Sequence, residues 1–263
     1  MTTPSFISVC ETAAREAGKV LREKLGRITV KRKSNVNDLV TEADAAAQET
    51  IEKILLGTFP EHYFLGEEKS ENNFIKKPSE DDYCWVVDPL DGTTNYVHTV
   101  PLFCTSIALV KGNEAVCAAV YNPLTDELFT AEKGSGTFLN GKQVRTSNWQ
   151  TVAESLLAVS LPSKIQDDSP DLLAFNKFLT RCQSIRRTGS TALNLAFTAS
   201  GRFDLTWAFQ CHPWDMAAGV LLVQEAGGFV SKPDGSPVQL LADPAPVFAA
   251  ANEQLFDEVI GII

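Results

Sequence analysis

Basic residues are in short supply. The chain has 263 residues, with 23 Lys and Arg against 33 Asp and Glu, and a formal net charge of −10 at pH 7. A protein that grips a nucleic-acid backbone presents a basic stripe, so no nucleic-acid partner is expected. The two basic clusters, Lys31, Arg32 and Lys33, then Arg186 and Arg187, read as solvated loop or strand edge. No apolar run approaches the ~20 residues that a helix needs to cross a bilayer, so no membrane partner is expected. The opening stretch MTTPSFISVCETAAREAGKV lacks a basic start followed by an apolar block, so a cytoplasmic location is expected. The three histidines, at 62, 98 and 212, show no zinc-ligand spacing. The six cysteines, at 10, 84, 104, 117, 182 and 211, form no CxxC pair and are expected to be reduced and mostly buried. No cysteine or histidine nucleophile motif stands out, and there is no internal repeat or low-complexity segment.

What is present is an ordinary globular composition, 44% hydrophobic and 21% charged, enough for one large domain or two closely joined halves. Phe6, Val9, Cys10, Ala13, Ala17, Val20 and Leu21 recur at helical spacing and predict an amphipathic helix over 5–25. A second helix is expected from Thr41 to about Gly57, with Asp44 three residues after Thr41 as its capping partner. HYFLG (62–66) and CWVVD (84–88) read as buried strands, the second ended by Pro89. Turn chemistry at 111, 122 and 140 between alternating apolar runs predicts an antiparallel meander over 102–145. Beyond about residue 150, strand-like and helical stretches alternate: 155–160, 171–182, 184–187, 191–200 and 202–209. A helix from Pro213 follows, then FVSK and PVFAAA. The expected division is an N-terminal α+β half, 1–147, carrying an antiparallel sheet, and a mixed α/β half, 148–263, closing a cleft against it, without a flexible linker.

Four acids share one situation, the end of a strand or the start of a helix, where layered α/β proteins place their sites. Glu67 follows HYFLG, Asp88 ends CWVVD, Asp91 stands in the turn after it, and Asp215 lies in the first turn of the Pro213 helix. Each also suits a structural role: a strand-end cap for Asp88, a turn for Asp91-Gly92, and helix-dipole stabilisation for Asp215. Brought together without a cation, such carboxylates repel and resist ionising. A hard divalent cation relieves this, and magnesium takes carboxylate oxygens together with substrate phosphate. In WVVDPLDGTTNYVH (85–98) the Leu90 carbonyl between the two aspartates offers a further oxygen. Gly92, Thr93 and Thr94 lead into a short helical turn whose amides favour an anion. The offsets of Asp88, Asp91 and Gly92 do not fit a twelve-residue calcium loop.

WVVDPLDGTTNYVH, preceded by GEE and followed by PWDMAAG, resembles the inositol monophosphatase family of magnesium-dependent, lithium-sensitive sugar and polyol phosphatases. KSNVNDLVTEAD (33–44), GSTALNLAFTASGRFD (189–204) and EAGG (225–228) extend the resemblance over nearly the whole chain. It implies an α+β fold, a layered α-β-α-β-α sandwich of the sugar-phosphatase type, two or three Mg2+ ions and a homodimer. It also implies roles. Glu67, Asp88 and the Leu90 carbonyl would hold one magnesium; Asp88, Asp91 and Asp215 would hold another; Glu67 would reach a weaker third through water. Asp44 with Thr93 would orient the attacking water, with Glu67 also catalytic. Gly92 and Thr93 would cradle the phosphate, in a substrate set that includes Glu67, Leu90, Asp91 and Asp215. Gly189, Ser190 and Thr191 would meet the alcohol portion, and Lys33 matches a basic residue on a mobile loop. The reaction implied is direct hydrolysis by activated water, with no covalent intermediate.

One position departs from the family. A glutamate that grips a sugar hydroxyl stands seven residues before the aspartate of the Trp-Asp pair; here that position is Ala208, with Gln210 and His212 as candidate replacements. The same chemistry on another phosphate, such as fructose 1,6-bisphosphate, histidinol phosphate or an adenosine 3′-phosphate, is the alternative substrate reading. A non-catalytic relative that binds phosphometabolites or a protein partner is the alternative of another class.

Overall fold

The structure, a computed structural model, describes residues 4–27, 30–32, 39–70, 78–162 and 164–263, with the backbone alone for 30–32 and 39–41. Lys33 lies outside the described residues, as does the side chain of Thr41. Val9, Cys10, Ala13, Ala17 and Leu21 form the buried face of helix α1 (Phe6–Lys24), whose Ser5 cap accepts the Ser8 amide at 3.4 Å. Strands β1 (Val30–Arg32) and β2 (Leu39–Thr41) pair antiparallel and lead into α2 (Glu42–Thr58), which buries Ala43, Ala47, Ile51 and Leu55.

Strands β3 (Tyr63–Gly66), β4 (Tyr83–Asp91), β5 (Cys104–Lys111), β6 (Glu114–Asn122), β7 (Glu127–Glu132), β8 (Gly136–Leu139) and β9 (Lys142–Val144) form one seven-stranded sheet in chain order. The β3–β4 pair is parallel and the rest are antiparallel, the meander expected from the turns. A five-residue helix, α3 (Thr93–Val97), sits between β4 and β5. After a short 3-10 turn over Val152–Glu154 come β10 (Leu156–Val159), α4 (Pro170–Leu179), β11 (Ser184–Arg186), α5 (Thr191–Ala199), β12 (Leu205–Cys211), α6 (Pro213–Glu225), β13 (Phe229–Ser231), β14 (Ala245–Ala250) and α7 (Glu253–Ile262). Their strands make a five-stranded mixed sheet, ordered β11-β10-β12-β14-β13.

Period-two alternation sorts the layers. In β4, Trp85 and Val87 face α1 and α2, while Cys84 and Val86 face α5 and α6. In β12, Ala208 joins that middle core, while Leu205 and Trp207 face outward to α4 and α7. The result is the expected α-β-α-β-α sandwich, with α5 and α6 between the sheets. Those helices touch closely: a Cβ on Gly219 of α6 would stand 2.3 Å from Leu195 Cβ of α5.

Two expectations need correction. Pro89 does not end the strand; β4 runs on to Asp91, so Asp91 closes the strand rather than standing in a turn after it. The register of β4 against β5 shifts between Asp88 and Asp91, and a bulge is a place where a strand tolerates proline. The amide of Leu90 donates to Asp88 Oδ1 at 2.9 Å, and the Pro89 carbonyl accepts from Thr105 Oγ1 at 3.0 Å, so both groups are satisfied. The sequence reading also omitted α7, which packs Leu255, Phe256 and Val259 into the outer core behind an Asn252 cap.

Candidate active site

The bulge sets the geometry of the acids. Asp88 and Asp91 project from the same strand end, 2% and 8% exposed. Asp215, the third residue of α6, comes from the middle layer, its Oδ2 accepting the His212 amide at 3.1 Å in the reciprocal half of a capping box. Carboxylate oxygens of Asp88, Asp91 and Asp215 lie within 4.8 Å of one another. Glu67, just past β3, opens onto the same cleft as Asp91 and Asp215. Among the described residues no lysine or arginine makes an ion pair with the three aspartates.

The electrostatics follow from crowding in a buried place. Burial first, then the charges of Glu67, Asp91 and Asp215, push Asp88 well above the usual carboxylate range. Burial, with Asp91 and Glu67 nearby, raises Asp215 to about 7 against the pull of the His212 amide. Asp91 rises by burial to about 6; bonds from Ser190 Oγ at 2.6 Å and the Ala192 amide at 2.7 Å hold it from going higher. Two thiols stand behind the acids: Cys104 Sγ is 3.9 Å from Asp91 Oδ2, and Cys211 Sγ is 3.9 Å from Asp215 Oδ2. Burial, above all, keeps both thiols protonated. All six cysteines are free thiols, and five are buried.

The following turn is equally constrained. Gly92 has φ +94°, and a Cβ there would lie 2.8 Å from the Leu102 carbonyl, so only glycine fits. It starts α3, whose first amides have no acceptor within the helix. The Thr93 hydroxyl is shared between the Leu90 carbonyl at 3.2 Å and Asp44 Oδ1 at 3.4 Å. Asp44 is fully buried on α2. Gly189, Ser190 and Thr191 all line the cleft. The Ser190 side chain is engaged inward, donating to Asp91 and accepting the Leu193 amide at 3.2 Å as the cap of α5. Ala208 is 1% exposed in the middle core and adds nothing polar, whereas Gln210 and His212 line the cleft.

Sequence reasoning missed three residues here. Asn95 donates from Nδ2 to the Leu102 carbonyl at 2.6 Å and to the Thr188 carbonyl at 2.8 Å, clamping α3 to the loop before α5. His98 lines the cleft from the end of α3. Arg187, read as part of a solvated strand edge, also lines it, although Arg186 beside it is an exposed edge residue as expected. The cleft has a volume of about 760 Å³.

Both the sequence and the fold match known proteins. The model of the inositol monophosphatase family fits residues 4–262. Inositol monophosphatase 2 of Solanum lycopersicum is 40% identical over 98% of this chain and 97% of its own. The Nus factor SuhB of Pseudomonas aeruginosa is 41% identical over 88% of this chain and 86% of its own. The crystal structure of extragenic suppressor protein suhB from Bartonella henselae superposes with a TM-score of 0.88 at 35% identity, over 97% of this chain and 96% of that one. Inositol monophosphatase from Anabaena gives a TM-score of 0.86 at 32% identity, covering 98% of this chain and 94% of that one. The chain belongs to the inositol monophosphatase family, a family of phosphoric monoester hydrolases.

Proposed function

We propose that this chain hydrolyses the phosphate monoester of a polyol or sugar, inositol monophosphate or a related compound, with magnesium as the cofactor. The observation that carries the reading is the convergence of Asp88, Asp91 and Asp215 oxygens within 4.8 Å without a basic partner among the described residues. Three carboxylates that burial and mutual repulsion drive toward the neutral form are a hard-oxygen donor set in need of positive charge. That donor chemistry fits Mg2+, which Glu67, Asp88, Asp91, Asp215 and the Leu90 carbonyl would hold. When bound, the ions supply positive charge against the phosphate and a water of lowered pKa.

The chain's own residues do the rest. Thr93 and Asp44, whose hydroxyl and carboxylate lie 3.4 Å apart, would orient the attacking water. The amides that open α3 at Gly92 and Thr93 would face the phosphate oxygens. Ser190 and the Ala192 amide fix the orientation of Asp91. Gly189 to Thr191 bound the space for the alcohol. Attack by a side chain has no support: both thiols near the site, Cys104 and Cys211, are buried and held protonated. The names of the tomato and Anabaena relatives support inositol phosphate as a starting substrate.

The test is phosphate release from inositol 1-phosphate and other polyol phosphates, with magnesium and with chelator. Release that needs magnesium and disappears in Asp88→Asn is expected. Release that chelation leaves unchanged would contradict the proposal.

A further inference from the structure

We propose that the part of the cleft that receives the alcohol is an anion subsite centred on Arg187, so that the favoured substrates carry a second anionic group besides the phosphate that is cleaved. This rests on the phosphatase reading above and narrows its substrate class. Every carboxylate lining the cleft, Glu67, Asp91 and Asp215, belongs to the proposed metal set. The remaining charged or titratable groups lining it, Arg187, His98 and His212, are basic. Asp243 is engaged with His212, its Oδ1 2.5 Å from Nδ1.

The Arg187 guanidinium is exposed and makes neither a hydrogen bond nor an ion pair among the described residues. It is also anchored at its base. The next residue, Thr188, offers its carbonyl to Asn95 of α3 at 2.8 Å, and its hydroxyl donates to Asn194 Oδ1 at 2.6 Å. The backbone that presents Arg187 is therefore tied to the same short helix that opens beside Asp91. A guanidinium presents a planar fork of donors that suits phosphate or carboxylate and lacks any acceptor. On the other wall, β12 contributes no carboxylate: Ala208 is a buried methyl, and the register shift between Ala208 and Cys211 brings Gln210, a neutral amide, into the cleft. A neutral polyol would meet only neutral amides and hydroxyls on this side of the cleft, whereas a second anion finds a cation with no partner among the described residues.

The opposing explanation is that Arg187 only screens the acids. Screening would affect every phosphate substrate alike, so selectivity separates the two. The experiment measures kcat and KM at saturating magnesium for fructose 1,6-bisphosphate, inositol 1-phosphate and glycerol 2-phosphate. The wild type is expected to prefer the bisphosphate. Arg187→Gln is expected to lower the ratio of kcat/KM for bisphosphate over neutral-alcohol substrates by about ten- to a hundredfold, chiefly through KM. Arg187→Lys should recover part of that ratio, and an unchanged melting temperature in both variants shows that the fold is intact. Equal kcat/KM for all three substrates in the wild type, or an equal loss on all of them in Arg187→Gln, would overturn the anion subsite and leave the phosphatase reading standing. Absence of magnesium-dependent release from any of the three would overturn the phosphatase reading and the subsite with it.

Discussion

At the scale of the residue, Asp88 is the side chain most opposed to its own charge. It has the most crowded position, with Glu67, Asp91 and Asp215 all raising its pKa after burial has done so. Asp88→Asn should abolish magnesium-dependent turnover, because one oxygen donor and one charge leave the centre. It should also raise the melting temperature of the metal-free protein at about pH 8 by several degrees, since a neutral amide replaces a group whose ionisation burial and its acidic neighbours oppose. Calorimetry on the chelated variant and wild type checks this, and a lower melting temperature in the variant would contradict it. Asp91 is the poorer choice for that experiment, because its carboxylate also receives Ser190 and Ala192. The four acids were legible in the sequence because each stands at a predictable strand end or helix start. Arg187 was not legible. Two adjacent arginines after a short strand look alike, and the one that lines the cleft is decided by contacts from residues far away in the chain.

At the scale of the element, the strand-bulge-helix unit β4–α3 is the part that tolerates least. Gly92→Ala would force a side chain into a left-handed conformation and against the Leu102 carbonyl. The backbone alone should cost about 1–3 kcal/mol, and turnover should collapse with it; chemical denaturation alongside a phosphate-release assay reads both. Asn95→Ala strips partners from the Leu102 and Thr188 carbonyls and should destabilise by about 1–3 kcal/mol. Because it frees the loop that bears Gly189 and Ser190, KM should rise more than kcat falls; unaltered kinetics would show that the clamp is dispensable. The meander and the α/β alternation were readable from turn residues and periodicity. The continuation of β4 through Pro89 was not, because a proline that ends a strand and one that sits in a bulge have the same local sequence. The bulge is stabilised by Thr105 and the side chain of Asp88, neither of which a rule about proline considers. Helix α7 follows a plain Asn252 cap with Leu255, Phe256 and Val259 on one face, a signal that was present and passed over. The roles of Asn95 and Ser190 depend on partners 93 and 99 positions away, beyond the reach of local pattern.

At the scale of the whole molecule, the acid cluster makes stability depend on pH and on cations. Asp91 and Asp215 titrate near 6 and 7 in the folded chain, against an ordinary value of 3.8. Between those values the folded chain keeps protons that the unfolded chain has released. Stability is therefore greatest at the acid end and is lost as pH rises through about 6 to 7. Chelated protein should melt at a lower temperature at about pH 8 than at about pH 5, and magnesium should raise the melting point more at the higher pH; the reverse order in a thermal scan would refute the cluster's electrostatics. A ligand present at a hundred times its dissociation constant stabilises by about 2.7 kcal/mol, which sets the size of shift to look for.

The acids that meet in the cleft arrive from different floors of the building, β4 from the seven-stranded sheet and α6 from the central helices. An ion seated between them would act as a rivet through two plates that meet mainly by their oily faces and are stitched at only a few polar points, such as Asp91 with Ser190 and Ser106 with Trp214. Its departure should be felt as looseness away from the chemistry: faster deuterium uptake at the first turn of α6 and through residues 187–191, and earlier nicking there by a protease.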